Sequence, residues 1–168
     1  MLPADEEQYS ALWRVALVEQ AEFFRIALED HPEQHLPTHF AEDSFTIGAF
    51  EQNRLVGSVS VERDFRRKFR HKALLFKMYV HPDAAGQGTG RLLLLEAMHQ
   101  AAKIDGLRQL YLTVLASNTR AIHLYRSLAF VEFAREPEAV DIGGYYVDEL
   151  QMQYVLPHQN QSNTRVIH

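Results

Sequence analysis

Three glycines lie at every second position, Gly86, Gly88 and Gly90, between an apolar run and a leucine-rich run. This order predicts a β-strand over 73–81, a tight turn, and an α-helix over 90–104. Each glycine costs about 0.5–1 kcal/mol of backbone entropy relative to alanine in regular structure, so three together indicate a close approach to the main chain. Uncovered amide N–H groups at a helix N-terminus bind anions, above all phosphate. The segment therefore predicts a phosphate site.

Two common nucleotide motifs do not fit this loop. A dinucleotide fingerprint requires G-x-G-x-x-G, whereas the spacing here is G-x-G-x-G. A P-loop requires Lys and then Ser or Thr after its last glycine, and Arg91 stands there instead. A turn packed tightly on its helix is the alternative to phosphate binding, although it accounts for one glycine better than for three.

The residues around the loop predict a mixed α+β sheet with helices on both faces. A strand over 109–115 follows the helix, and this strand–helix–strand order requires two parallel strands joined by a right-handed crossover. Alternating apolar residues elsewhere predict antiparallel strands. The other predicted elements are helix over 5–29, in one or two segments, a hairpin around 51–53, a helix over 118–128, and final strands over 131–136 and 144–156.

Composition limits the function classes. The chain of 168 residues has a net charge of −5 and no cysteine, which removes disulfides, thiolate metal sites and cysteine nucleophiles. It contains no apolar run of about 18 residues and no signal-peptide segment, so we expect a cytoplasmic protein without membrane contact. We predict a single domain over 1–156 followed by a polar tail, 157–168.

Two local clusters allow more than one interpretation. The basic run over 63–72 fits a site for nucleic acid or a coenzyme phosphate, or else a solvated hairpin tip. The net negative charge favours the tip, so we expect no nucleic-acid partner. His31, His35 and His39 are four residues apart, which would align three imidazoles on an unbroken helix. Pro37 interrupts that helix, so we predict no metal site.

A second segment, residues 117–130, places polar and aromatic side chains on one helix face. At 100° per residue, Asn118, Ala121, Ile122 and Tyr125 share that face. The spacing by itself is typical of a helix cap, supplied by Asn118, and of a core aromatic, supplied by Tyr125.

Together the two segments resemble the GCN5-related N-acetyltransferase superfamily. The pattern V-x-P-x-x-x-G-x-G-x-G-x-x-L-L covers 80–94, and N-x-x-A-x-x-L-Y-x-x-x-x-F covers 118–130. The resemblance extends over roughly 45–156. It implies an acyl-CoA N-acyltransferase fold with acetyl-CoA as co-substrate, bound where the sheet splays between the strands over 73–81 and 109–115.

The resemblance implies roles for residues of both motifs. Tyr125 donates a hydrogen bond to the leaving thiolate, and Asn118 orients the pantetheine arm or a nearby water. A backbone N–H in the strand before the loop stabilises the thioester oxyanion, and the loop amides wrap the coenzyme's pyrophosphate. The implied strand residues are Met78, Tyr79 and Val80, and the implied loop residues are Gln87, Gly88, Thr89, Gly90 and Arg91.

Transfer to an amine also requires a neutral nucleophile. An alkylammonium with a pKa near 10 is only about 0.1% neutral at pH 7, a penalty of about 4 kcal/mol that a general base relieves. Glu62 and Glu149, on strands of the predicted sheet, are the candidates, and each also fits an ordinary surface carboxylate. Because the chain has no cysteine to form an acyl-enzyme, we expect the amine to attack the thioester directly.

The acceptor is predicted only as a primary amine of a small molecule or peptide. Tyr145 and Tyr146, with Asp148 and Glu149, fall where members of the superfamily often contact the acceptor. The acidic pair suits a cationic amine such as a polyamine or an aminoglycoside.

Two positions depart from the superfamily pattern. Ala85 stands before the first glycine, where Arg or Gln is usual, and Ala129 stands where the superfamily has Gly after the tyrosine helix. Ala85 is the best support for the alternative function, a catalytically silent acyl-CoA-binding sensor or interaction module, whereas Tyr125 favours the enzyme. The superfamily also suggests a homodimer.

Overall fold

The structure, a computed structural model, describes residues 1–30, 32–38 and 43–157. Across these residues the chain forms one six-stranded sheet and three α-helices, joined by turns and short 3-10 segments. In chain order the elements are α1 (Glu6–Glu19), β1 (Ser44–Glu51), β2 (Arg54–Arg63), β3 (Lys72–Val80), α2 (Thr89–Ala101), β4 (Gln109–Leu115), α3 (Thr119–Ser127), β5 (Val131–Asp141) and β6 (Tyr146–Val155).

The strands form a mixed sheet in the order β1-β2-β3-β4-β6-β5. Neighbours are antiparallel except β3 and β4, the two ends of the predicted strand–helix–strand unit, which are parallel. Their pairing is confined to Lys72–Leu74 and Gln109–Tyr111, at the start of both strands. Beyond these residues no pairing joins the two strands. This confirms the α+β fold and the splay that the resemblance implied.

Helices cover both faces of the sheet. The main core lies between the sheet and the pair α2 and α3, and includes Leu94, Leu112 and Ile122. On the opposite face, Trp13 of α1 is buried, and its Nε1 donates to the Oγ of Ser58 on β2 at 3.0 Å. A buried polar atom left without a partner costs about 1–3 kcal/mol, so this bond fixes how α1 sits on the sheet.

A β-bulge interrupts β3 beside the splay. The register advances by two residues along β2, from Ser58 to Ser60, but by three along β3, from Tyr79 to Phe76. Within the extra residue's span, Lys77 has a φ of +47°, a left-handed conformation that is uncommon for a residue with a side chain. One extra residue reverses the in–out alternation of a strand.

The bulge determines which side chains of β3 face which helices. Before it, Leu75 faces the main core, and after it, Met78 and Val80 do. Lys77 and Tyr79 face α1 instead, where they pack on its aromatic side chains. The two sides of β3 therefore supply different chemistry to the opening beside them.

The segment predicted as one or two helices over 5–29 is helical only in its first two thirds. α1 ends at Glu19 rather than near residue 29, and a 3-10 segment follows over 21–23. Leaving the helix brings the Phe24 ring edge-on to Trp13, with the centroids 5.4 Å apart. Tertiary packing of this aromatic ring therefore overrides the helical repeat. α2 also begins and ends earlier than the predicted 90–104.

The basic connection over 63–72 forms the loop between β2 and β3. The guanidinium of Arg70 donates to Asp43 at 2.6 Å, and that of Arg66 lies 4.3 Å from the Phe69 ring centroid. The positive charges of this segment thus contact a carboxylate and an aromatic ring of the chain itself.

Of the three spaced histidines, only His35 lies within the described residues, and His31 and His39 lie outside them. His35 contacts Glu6 and Glu33. In the described part of the chain, no three metal-ligating side chains come together. No helix there combines the length and the hydropathy that crossing a bilayer requires.

Candidate active site

A cleft of about 730 Å³ opens where β3 and β4 separate. The glycine loop and the first turn of α2 form one end, and α3 forms one side. The segment after α1 and the α1-facing side chains of the sheet form the other side. The sequence-predicted residues that line it are Met78, Tyr79, Val80, Gly88, Thr89, Gly90, Arg91, Asn118, Tyr125 and Glu149.

The three glycines serve two different purposes. Gly86 and Gly88 have φ values of +79° and +87°, and a Cβ on either would meet nothing within 4 Å. Backbone conformation therefore selects glycine there, and the space beside it is open to a ligand. Gly90 is a packing glycine, because a Cβ would lie 3.3 Å from both Leu124 and Met78. The tight-turn alternative therefore accounts for Gly90, whereas Gly86 and Gly88 leave the open space that the phosphate prediction requires.

The N-terminus of α2 opens into the cleft without a side-chain cap. Gly88 is its N-cap residue, and the amides of Thr89, Gly90 and Arg91 have no acceptor within the helix because they belong to its first turn. Uncovered amides and the positive end of the helix dipole attract an anion.

The polar side chains predicted for this region differ in whether they line the cleft. Arg91 is exposed and donates to the Oγ of Ser127 at 3.1 Å, which ties it to the end of α3. The Gln87 side chain turns back to the carbonyl of Asp83 at 3.1 Å and does not line the cleft. Arg120, near the start of α3, also lines the cleft and was not predicted from the sequence. Its position in the second motif, two residues after Asn118, could have indicated that it lies near the cleft.

The second motif brings one capping and one buried side chain to the cleft. The Oδ1 of Asn118 accepts from the Ala121 amide at 3.1 Å and caps α3. Tyr125 is only 6% exposed, and its ring lies 5.8 Å from that of Phe130. Burial raises the pKa of the Tyr125 phenol above its ordinary value of 10.0. Tyr125 therefore meets the cleft as a neutral hydrogen-bond donor.

The structure separates the two candidate carboxylates. Glu149 of β6 lines the cleft, is 4% exposed, and pairs with Arg25 at 3.1 Å. Glu62 is exposed on β2, opposite Leu74, and does not line the cleft. Of the two predicted bases, only Glu149 is therefore positioned to reach a molecule in the cleft.

The neighbours of Glu149 do not form the expected acidic patch. Asp148 points to the other side of β6, where it pairs with Arg135 at 3.1 Å and accepts from the Glu138 amide at 3.0 Å. Tyr145 and Tyr146 are exposed and lie outside the cleft lining. A strand alternates its side chains, so consecutive residues such as Asp148 and Glu149 cannot both face one site.

An aromatic wall opposite the glycine loop was not predicted. Trp13, Phe24 and Tyr79 pack together with ring centroids 5.4–6.2 Å apart, and all three line the cleft. Lys77 stands against this wall, with its Nζ 5.1 Å from the Trp13 ring centroid and 2.9 Å from the Oε1 of Gln34. Burial lowers the pKa of Lys77.

The bulge also distinguishes the three predicted oxyanion donors. Tyr79 and Val80 pair in register with Ser58 and Gly57 of β2, whereas Met78 has no register partner. Met78 lines the cleft at the point where β3 begins to diverge.

An anion-binding loop that opens into an apolar splay suits a long ligand with phosphate at one end, as in an acyl-coenzyme A, and so the fold and the cleft are those of an acyl-CoA-dependent transferase. The chain belongs to the Acetyltransferase (GNAT) family, whose model matches residues 9–130. It is accordingly an N-acetyltransferase, and acetyl-CoA is its co-substrate.

Individual relatives agree with this membership. The chain is 30% identical over 129 residues to a spermidine N(1)-acetyltransferase of Vibrio cholerae, covering 77% of this chain and 71% of that protein. It is 31% identical over 113 residues to the L-amino acid N-acyltransferase MnaT of Escherichia coli, covering 66% and 64%. An acetyltransferase structure from Salmonella typhimurium, solved with acetyl-CoA, has the same fold, with a TM-score of 0.78, 20% identity, and coverage of 98% and 95%.

Proposed function

We propose that the chain transfers the acetyl group of acetyl-CoA directly to a primary amine of a small molecule or peptide, in a ternary complex. One observation carries this proposal: the uncapped α2 N-terminus, the unpaired Met78, Tyr125 and Glu149 all line a single cleft. Acetyl transfer needs four groups, which these features supply in the same order: a site for the coenzyme, an oxyanion donor, a donor to the leaving group and a base.

The coenzyme occupies the loop end of the cleft in this proposal. The amides of 87–91 receive the pyrophosphate, and Arg91 and Arg120 add positive charge beside it. The small side chain of Ala85 leaves that task to the backbone. Asn118 has its oxygen engaged in the helix cap, so its amide nitrogen is the group that can donate to the pantetheine arm.

The thioester carbonyl lies at the bulge of β3. Attack by the amine places negative charge on the carbonyl oxygen, and the Met78 N–H donates to that oxyanion. A preorganised donor of this kind is worth about 3–4 kcal/mol in the transition state of acyl transfer. Tyr79 and Val80, whose positions are paired with β2, are the weaker candidates.

The thiolate leaves toward Tyr125. Protonating a thiolate of pKa near 8.5 from a phenol of pKa 10 is uphill by about 2 kcal/mol, and the raised pKa of Tyr125 makes it steeper. Tyr125 therefore acts mainly by donating a hydrogen bond to the sulfur as negative charge develops there. The carboxylate of Glu149 accepts a proton from the acceptor's ammonium group, and the neutral amine that results attacks the thioester.

Substitution of Tyr125 by Phe tests this proposal. Thiol release should fall about 10- to 100-fold in kcat, while calorimetric affinity for acetyl-CoA stays within about twofold, because only the transition-state interaction is lost. The matched control is Tyr146→Phe, an exposed tyrosine outside the cleft, which should change neither value.

The same experiment separates the enzyme from a silent acyl-CoA sensor. A sensor would bind acetyl-CoA with millimolar or better affinity and release no thiol with any amine. Equal turnover in the wild type and Tyr125→Phe would remove Tyr125 from the mechanism and leave acetyl transfer standing. An unchanged binding constant with loss of turnover supports the role proposed.

A further inference from the structure

Two of the relatives are named for acceptors that differ in charge. One is named for spermidine, a polycation, and another for L-amino acids, which carry a carboxylate. The charges of the cleft wall can choose between these two classes, because buried like charges disfavour a ligand strongly while opposite charges attract it.

The single acidic side chain among the described residues that line the cleft is already paired. Glu149 is 4% exposed and lies 3.1 Å from the guanidinium of Arg25. Arg25 also reaches Thr113 at 3.5 Å, which holds the guanidinium against β4. The pair contributes no net charge, so it does not attract the second and third ammonium groups of a polyamine.

Lys77 adds a positive charge that no carboxylate balances. Its Nζ donates to the neutral Oε1 of Gln34 at 2.9 Å and lies over the rings of Tyr9 and Trp13, at 5.7 and 5.1 Å. Within the described ranges no acidic oxygen lies within 4 Å of that nitrogen. The bulge turns Lys77 to the α1 side, so the excess charge stands on the acceptor side of β3.

Two further features complete this wall. The ring of Tyr79 lines the cleft, whereas its hydroxyl is buried and has no hydrogen-bond partner among the described residues. Phe76 also lines the cleft and extends the aromatic wall of Trp13, Phe24 and Tyr79. Lys77 and these rings together present positive charge and apolar surface, which suit an anionic group joined to an apolar one.

Given the acetyl transfer proposed above, on which this assignment rests, we propose that the acceptor is an amine bearing a carboxylate and an apolar side chain, the chemistry of an apolar α-amino acid. The carboxylate binds near Lys77, and the apolar side chain packs on the aromatic wall. The amine then faces the thioester and Glu149. Polyamines are poor acceptors, because Lys77 repels their remaining ammonium groups.

Three acceptors measured by thiol release from acetyl-CoA test the assignment. L-phenylalanine and L-phenylalaninamide differ at the carboxylate, and spermidine represents the polycations. For the wild type, kcat/KM should be at least about 10-fold higher for L-phenylalanine than for either of the others.

Lys77→Met removes the charge and keeps the length of the side chain. It should lower kcat/KM for L-phenylalanine about 10- to 100-fold, mainly through KM, and leave L-phenylalaninamide within about twofold. Lys77→Arg should retain most of the preference for the carboxylate. Lys103→Met, which removes the same charge from an exposed position outside the cleft, is the matched control and should change nothing.

The outcomes separate the two levels of proposal. Thiol release that favours spermidine, or an equal loss for both phenylalanine derivatives in Lys77→Met, would overturn the acceptor assignment and leave acetyl transfer intact. Absence of thiol release with every amine would contradict the proposed function itself. If acetyl-CoA raises the melting temperature of Lys77→Met as much as that of the wild type, the variant is folded. If that increase is lost, the acceptor assignment is judged from the preference of the wild type among the three acceptors.

Discussion

The half of the cleft proposed to hold the coenzyme and the half proposed to hold the acceptor are built by different means. The coenzyme half consists mainly of main-chain groups, from the positive-φ turn at Gly86 and Gly88 to the uncapped start of α2. The acceptor half consists of side chains from separate elements, including Trp13, Lys77 and Glu149. A backbone site recognises a constant ligand through geometry that many sequences can supply, whereas a side-chain site can change with the acceptor.

Substitution at Gly88 should break the coenzyme half with the largest effect. Gly88→Ala places a Cβ at a φ of +87°, where an L-residue costs about 1–2 kcal/mol, and the methyl group occupies the open space that the phosphate needs. We expect KM for acetyl-CoA to rise about 10-fold or more, with KM for the acceptor little changed. Steady-state kinetics with each substrate varied in turn measures both constants.

Gly143→Ala is the matched control for this prediction. Gly143 has a φ of +63°, a Cβ there would also meet open space, and it lies between β5 and β6, outside the cleft. The two variants should lose similar unfolding free energy. If Gly143→Ala raised KM for acetyl-CoA as much as Gly88→Ala, general backbone strain rather than the phosphate site would explain the effect.

Trp13→Phe should weaken the acceptor half instead. The substitution removes the Nε1–H that bonds Ser58, which is fully buried, and takes away the ring surface under Lys77. We expect a loss of about 1–3 kcal/mol of unfolding free energy in urea and a severalfold higher acceptor KM. KM for acetyl-CoA should stay near its wild-type value.

A substitution in the main core tests whether the acceptor KM depends on the aromatic wall or only on overall stability. Val61→Ala removes buried apolar surface from β2 without touching the cleft, so it lowers stability through packing alone. It should leave both KM values unchanged. A rise in acceptor KM for Val61→Ala would mean that lost stability, and not the aromatic wall, controls acceptor binding.

The same contrast explains what could be predicted from the sequence. The coenzyme half is encoded locally, because a few consecutive residues fix the turn of 86–88, the helix start and the cap at Asn118. The resemblance to known acetyltransferases depends on those same segments. The fold followed from them, since a strand–helix–strand unit with flanking hairpins leaves few topologies.

The acceptor half depends on distances that the sequence does not contain. The bulge turns Lys77 toward α1, and regular alternation along β3 would not reveal it. Phe24 reaches Trp13 only because α1 ends at Glu19, inside a segment whose apolar spacing continues to residue 29. The choice between Glu149 and Glu62 likewise depends on strand pairing: Glu62 lies opposite Leu74, where β3 and β4 are still paired, whereas Glu149 lies opposite Leu115, where they have separated.

The smallest expected effect concerns the segment 32–38, which supports the acceptor half from outside. His35 bonds Glu6 of α1 at 2.9 Å and Glu33 at 3.1 Å, and these hydrogen bonds raise the pKa of His35 above 6.5. A raised pKa means that the folded state holds the proton more tightly than the unfolded state. The stabilisation is therefore complete below pH 6.5 and is lost as the pH rises through the folded-state pKa.

His35→Gln should accordingly lower the melting temperature slightly at pH 5.5 and not at pH 9. The control is His123→Gln on α3, an exposed histidine that forms no ion pair within the described residues. The neighbouring Gln34 accepts a hydrogen bond from Lys77. A small rise in acceptor KM for His35→Gln at pH 5.5, without a change in KM for acetyl-CoA, would therefore show that the segment 32–38 supports the acceptor half alone. An effect confined to the acceptor KM requires that the coenzyme half be held independently by its own backbone. Equal changes in both KM values would instead mean that the segment 32–38 supports the whole cleft.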